Sequence, residues 1–313
     1  MRDVTEPWAH WDVHVSVAVG LVLLGGLYVF LGGLAAPRRQ VASFAGSLVV
    51  LLVTLNGPLH DLSDNYLFSA HMVQHLLLTM LFPPLLLYGT PSFVARGLLA
   101  RGRAGPKGLP DGRGWAGGRS APDAPSRPPA RLTAVLSALT RPVVAATVFS
   151  AVMAFWHLPR FYEAVMRNHD LHIVQHLTFM ASAVLMWWPV LSPLPEVPRT
   201  SYPAQMLYLF LLGIPMSVVG ALITLSGRLL YPFYLEVPRL WGLTPLVDQQ
   251  LGGLIMWVPG GLVFWVVMTV VWFRWAAREE RDDVELAVPP QAYGHAESAR
   301  ETAKARRRRF VPL

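Results

Sequence analysis

The sequence predicts an all-α polytopic membrane protein, a seven-transmembrane-helix bundle with its N-terminus outside and its C-terminus inside. Three observations carry that expectation. The 313 residues are 53% hydrophobic and 14% charged, against roughly 25% charged in a soluble domain, so the chain lacks the polar surface that a soluble fold of this size needs. Its apolar runs approach or exceed the ~20 residues that cross a bilayer core. Its basic residues crowd into alternate connections, as the positive-inside rule requires.

Residues 1–12 are polar, and no basic n-region precedes the first apolar run, 13–36. That run is therefore expected to be an uncleaved helix. The second run, 41–58, ends at Asn56-Gly57-Pro58 and is followed by His60-Asp61. The third, 71–90, opens with His71-Met72-Val73-Gln74-His75-Leu76. Its Pro83-Pro84 pair removes two backbone donors and is expected to kink the far end. The fourth, 142–158, ends at Trp156-His157, and the fifth opens with His172-Ile173-Val174-Gln175-His176-Leu177. The sixth, 203–226, contains Pro215. In the connection 227–248, Tyr231, Phe233, Tyr234 and Trp241 read as headgroup-level aromatics. The seventh, 249–273, follows Asp248-Gln249-Gln250. Residues 1–275 are thus expected to form the transmembrane domain. Within it the Gly/Pro/Arg-rich stretch 92–131 reads as a disordered cytoplasmic loop between the third and fourth helices. Residues 276–313 read as a charged cytoplasmic tail.

With odd-numbered spans running inward, the inner segments hold 21 Lys/Arg against 10 Asp/Glu and the outer segments 5 against 9. The formal charge of +7 is then a topology signal and a match to anionic lipid, and no nucleic-acid partner is implied.

The chain has no cysteine, which excludes disulfides, iron–sulfur clusters and thiolate metal sites. Its soft and borderline ligands are 10 His and 11 Met. Nine of the ten histidines fall at helix ends on the expected outer side, and His295 lies in the tail. One imidazole at an interface is more often a headgroup-level residue than a ligand. A duplicated HxVQHL is different. Each copy puts two imidazoles one helical turn apart on one face, and the two copies enter from the same side. His71, His75, His172 and His176 are the candidate metal ligands. His60, His157, His169, Asp248 and Met180 are candidate supports, Met180 because it continues the His172–His176 face. Asp248 reads either as the N-cap of the seventh span or as an acceptor or ligand at the site. Gln74 and Gln175 lie about 100° off the ligand face, where they suit interhelical hydrogen bonding. Met72, Met153 and Met256 read as core filler.

Imidazole with thioether and no thiolate suits copper, and imidazole alone suits copper or zinc. Two alternatives stay open: a haem between the third and fifth spans with His75 and His176 as axial ligands, and a zinc hydrolase with Asp248 as base. A retinal Schiff base is excluded, since the lysines, Lys107 and Lys304, lie in the loop and tail.

Several motifs carry a resemblance. The two HxVQH copies, Pro83-Pro84-Leu85, Gly89-Thr90-Pro91, Trp156-His157-Leu158-Pro159, Trp188-Pro189-Val190 and Asp248-Gln249-Gln250-Leu251-Gly252-Gly253-Leu254-Ile255-Met256-Trp257 resemble the CtaG family of cytochrome c oxidase assembly factors over about residues 10–275. The resemblance implies a non-enzymatic, seven-span protein of the bacterial plasma membrane. It would help a haem–copper oxidase mature at the copper-insertion stage, with oxidase subunits and other copper-handling proteins as partners. Relative to the family pattern the long Arg/Gly/Pro loop looks like an insertion.

Overall fold

The computed structural model describes residues 11, 14–100 and 128–287. Among the described residues the fold is all α, and glycine and proline mark most of the breaks. Helix α1 (Val15–Phe30) stops where Gly32 takes a left-handed φ of 80° and the chain turns through a short 3-10 segment, a conformation a Cβ would strain. Helix α2 (Arg38–Asn56) ends at Gly57, and Pro58 starts α3 (Pro58–Asn65), the helical position at which a missing N–H costs least. Helix α4 (Phe68–Leu76) runs into a π-helical turn (Leu77–Leu81) and then α5 (Phe82–Gly89). The cause is Pro83-Pro84, which cannot donate to the preceding turn. The Thr79 carbonyl, left without its helical donor, accepts instead from the Trp187 indole N–H at 2.9 Å.

Helix α6 (Ser92–Ala100) follows. Helices α7 (Ala130–Leu139) and α8 (Pro142–His157) meet at a 63° bend. Then come α9 (Pro159–Met166), α10 (His169–Leu191), α11 (Tyr202–Thr224), the single turn α12 (Phe233–Glu236) and α13 (Pro245–Ala287). Helices α11 and α13 share the most extensive interface, α13 also packs on α4, and α10 packs on α8. The α11–α13 approach depends on Gly220 and Gly253. A Cβ on Gly220 would lie 3.0 Å from the Gly253 carbonyl oxygen, and one on Gly253 would lie 2.7 Å from the Thr224 nitrogen. The faces turned away from the bundle are apolar, with Val22, Leu222 and Val266 all exposed, as a lipid-facing surface requires.

The seven-span expectation is corrected. Among the described residues, five helices are long and apolar enough to cross a membrane, or six if α7 and α8 form one bent span. Helix α1 has 16 residues, about 24 Å at 1.5 Å per residue, short of a core about 30 Å thick. Helix α8 also has 16 residues and reaches span length only together with α7 across the bend. The assignment of the N-terminus outside and the C-terminus inside rested on an odd count, so the structure leaves the orientation of the termini unresolved.

Two further expectations change. The stretch 92–131 is helical at both ends, in α6 and α7, and its middle, 101–127, lies outside the described residues. Of the expected tail 276–313, the part to Ala287 continues α13, and 288–313 with His295 lies outside the described residues. Tyr231 and Tyr234, read from the sequence as headgroup-level aromatics, are buried inside the bundle at 0% and 1% exposure. Burial is possible because each hydroxyl finds a partner: Tyr231 donates to the His157 carbonyl at 2.8 Å, and Tyr234 shares a 2.7 Å bond with Tyr162.

Candidate metal centre

Both helices that carry the hexapeptides, α4 and α10, start on a built cap. Helix α10 is capped by its own Asn168, whose side chain accepts from the Leu171 N–H at 3.1 Å. Helix α4 is capped from across the bundle. The Asp248 carboxylate on α13 accepts from the N–H groups of Phe68 and Ser69 at 2.8 and 3.1 Å and from the Ser69 hydroxyl at 2.6 Å. A carboxylate at a helix N-terminus satisfies donors that have no helical partner and meets the positive end of the dipole. Asp248 is fully buried. It fixes the depth of His71 and His75 by holding the turn that precedes them, with both oxygens engaged by α4. It neither caps its own helix nor orients an imidazole, and it is not placed to act as a general base.

The two hexapeptides face each other. Ring centroids of His71 and His172 are 5.3 Å apart, and those of His75 and His176 are 5.6 Å apart. Among the described residues, His71, His172 and His176 form the one set of three or more whose candidate ligand atoms all lie within 4.8 Å of one another. Nitrogens held at about 2 Å on one tetrahedral ion are roughly 3.3 Å apart. The set would therefore close by about an ångström or more on an ion, a movement within reach of side-chain rotation.

The chemistry of the donors fits a metal. His71 has both ring nitrogens buried without a hydrogen-bond partner, and His172 and His176 each leave Nε2 so. An unsatisfied buried polar atom costs about 1–3 kcal/mol, and an ion bound by these lone pairs would offset that cost. His172 Nδ1 lies 3.3 Å from an oxygen of Asp64. A carboxylate only accepts, so the proton sits on Nδ1 and the Nε2 lone pair is left for a ligand. This carboxylate–imidazole pairing is the usual support of a metal-bound histidine. Burial acts to raise the Asp64 pKa, but the hydrogen bond and charge of His172, with His60 adding, hold the carboxyl below its ordinary range.

Gln74 ties α4 to α2 and α3. Its amide nitrogen donates to the Thr54 carbonyl at 3.0 Å and lies 2.9 Å from His60 Nδ1, and its oxygen accepts from the Ser63 hydroxyl at 2.9 Å. That network fixes the amide orientation and makes His60 Nδ1 an acceptor. Burial lowers the His60 pKa against the opposing pull of Asp64, so the ring is neutral at pH 7. Gln175, on the other copy, is buried with neither amide atom partnered, and nothing in the fold explains that asymmetry.

The supporting candidates divide by place. His60 lies 4.6 Å from His14 and 6.2 Å from His172, ring centroid to ring centroid, and His14 lies 6.0 Å from the exposed His169. These rings line a cavity of about 510 Å³ together with His172, His176 and Met180. Met180 thus belongs to the side cavity. His75 lies beneath the three-histidine set, 4.2 Å from His71. On its far side His157 is 6.0 Å away. Tyr162, Tyr231, Tyr234 and Phe68 are all buried, and the Tyr162 ring lies 5.3 Å from His71.

Sequence reasoning missed Asp64 and left His14 among the bland interfacial histidines. Asp64 had a local signal, since His60 and Asp64 stand at i and i+4 on one helix face. Its pairing with His172 is a tertiary contact that periodicity does not show.

The chain is 28% identical over 273 residues to uncharacterized proteins of Mycobacterium bovis and Mycobacterium tuberculosis, which covers 84% of this chain and 39% of each relative. A third uncharacterized protein, from Mycobacterium leprae, is 26% identical over 249 residues, covering 78% of this chain and 35% of its own length. The chain therefore spans well under half the length of these curated relatives. No solved structure matches it significantly. The family model described as cytochrome c oxidase caa3 assembly factor (Caa3_CtaG) matches residues 11–278. That match covers the helical bundle and every histidine of the site, and this multi-pass plasma-membrane chain belongs to the caa3-type cytochrome c oxidase assembly factor (CtaG) family.

Proposed function

We propose that the chain is a non-enzymatic assembly factor for a haem–copper cytochrome c oxidase, and that it takes up copper as cargo and passes it on through its imidazoles. The observation that carries the reading is the buried triad His71, His172 and His176. Three imidazoles converge there, each with a buried ring nitrogen that lacks a hydrogen-bond partner, and one is backed by Asp64. Family membership supplies the process and a cysteine-free ligand set supplies the chemistry. His169, His14 and His60 lead from the exposed end to the triad with ring centroids 4.6–6.2 Å apart. Each spacing is short enough for one imidazole to take an ion before the previous one releases it. Such ligand exchange needs no covalent step, and an oxidase subunit would complete it from the open side cavity.

Neither alternative gains support. A haem held by His75 and His176 needs both rings in one slot of several hundred cubic ångströms. His75 lines a cavity of about 20 Å³, whereas His176 lines the separate cavity of about 510 Å³. A hydrolase using Asp248 as base needs a free carboxylate, and this one is committed to α4.

The test is metal analysis and oxidase maturation with His71, His172 and His176 replaced together by Ala. Loss of one equivalent of bound copper together with a copper-deficient oxidase is the expected result. Copper binding and oxidase maturation both at wild-type level would overturn the proposal, as would a Soret band, or zinc without copper, in the purified wild-type protein.

A further inference from the structure

We infer that helices α4, α8, α11 and α13 enclose a second metal site, rich in thioether and suited to a soft monovalent cation such as Cu(I). This site goes beyond the triad and stands on different residues. Met72, Met153, Met216 and Met256 line one small cavity with His75 and His157. The six residues are at most 6% exposed and come from four helices.

Core packing accounts for four buried methionines, since Met fills irregular gaps. It does not account for the two imidazoles among them. His157 Nδ1 lies 2.7 Å from the Met153 carbonyl oxygen. A carbonyl only accepts, so Nδ1 carries the proton and Nε2 keeps its lone pair. That nitrogen is buried with no hydrogen-bond partner, and both ring nitrogens of His75 are in the same state. An imidazole N–H held by a backbone carbonyl, with the other nitrogen bare, is how ligating histidines are commonly supported.

The ligand set also selects the ion. Thioether and imidazole without thiolate favour Cu(I) over hard cations. Among the described residues, no Asp, Glu, Lys or Arg lines the cavity, so an ion there keeps its full charge in a medium of low dielectric. The cost of burying charge grows as its square, so a divalent ion pays about four times what a monovalent one pays. The cavity volume is about 20 Å³, enough for one water-sized sphere and hence for one bare ion.

The site lies directly below the triad, with His75 4.2 Å from His71 and 6.0 Å from His157, centroid to centroid. An ion released from the triad would meet thioether ligands next. The existence of the second site does not depend on what the first one does.

The experiment loads the full-length protein with Cu(I) under reductant and records copper X-ray absorption and stoichiometry. Three proteins are compared: wild type, the variant with Met72, Met153, Met216 and Met256 all replaced by Leu, and H71A/H172A/H176A. Met→Leu nearly conserves volume. Wild type is expected to show sulfur scatterers on copper. The methionine variant is expected to lose that shell and one equivalent of Cu(I), or to bind it at least tenfold more weakly. The triple histidine variant is expected to keep the sulfur shell. If the methionine variant fails to fold, selenomethionine-labelled wild type replaces it, with copper–selenium scattering expected. Wild-type copper without sulfur or selenium neighbours would overturn the inference, and so would a folded methionine variant with unchanged copper. Failure of the triad alone would appear as loss confined to nitrogen scatterers.

Discussion

Asp64 offers the sharpest single perturbation, because it is not itself a proposed ligand and, besides accepting from the Ser63 hydroxyl at 2.8 Å, it meets the ligand set at His172. Its carboxylate oxygen lies 3.3 Å from His172 Nδ1, while its approach to His60 Nδ1, at 3.6 Å, is too long for a hydrogen bond. Removing the carboxylate leaves the His172 N–H without its acceptor and frees the ring to change tautomer. Losing such a partner typically weakens metal binding 10–100-fold, which corresponds to about 1.4–2.7 kcal/mol. Asp64→Asn keeps an acceptor oxygen but loses the charge, so it belongs at the lower end, and Asp64→Ala at the upper. The assay is competition for Cu(I) against a chromophoric chelator with protein in detergent, with thermal unfolding as the folding control. Affinity ordered wild type, then Asn, then Ala is the expected outcome. Equal affinity in all three folded proteins would refute the coupling of Asp64 to the ligand set.

Three other outcomes follow from the packing. Asp248→Ala removes three hydrogen bonds at the buried start of α4. Losing a cap costs about 0.5–2 kcal/mol and orphaned buried donors add to it, so thermal unfolding should fall clearly, with Asp248→Asn recovering part of the loss. Trp187→Phe takes the donor from the Thr79 carbonyl beside the π-helical turn. That leaves a buried acceptor at a cost of about 1–3 kcal/mol, read as a lower midpoint and faster proteolysis, with no change in copper stoichiometry. Gly220→Leu drives a side chain into the α13 backbone, whose Gly253 carbonyl oxygen already lies 3.0 Å from the Cβ position. It should abolish accumulation in the membrane, whereas Gly227→Ala, with nothing within 4 Å of its Cβ position, should accumulate normally.

Much of the architecture was legible because membrane helices write themselves as apolar runs and their breaks as Gly and Pro. The π-helical turn sits beside Pro83-Pro84, and α3 starts at Pro58 after Gly57. The count of spans was not legible, because an apolar run does not report its helical length. The first run ends in effect at Gly32, where the backbone turns left-handed, and the fourth needs a bent partner helix. The duplicated HxVQHL pointed to two facing imidazole pairs and the structure brings them together, yet it divides them unevenly. His71, His172 and His176 converge, while His75 lines a separate small cavity with His157 and four methionines. That division depends on the crossing of α4, α8 and α10, which spacing along one helix does not encode. Asp248 stood out by its motif, but its partner is the start of α4, 180 residues away in sequence from Phe68. Met153 and Met216 look like any other apolar residue until the fold sets them beside unpartnered nitrogens.

The most direct measurement is anomalous scattering at the copper edge from crystals of the full-length protein grown with copper. An anomalous peak is expected about 2 Å from ring nitrogens of His71, His172 and His176, with His172 still joined to Asp64. A copper-loaded protein with no peak among these three residues, or with its copper bound only outside the bundle, would contradict the proposed site.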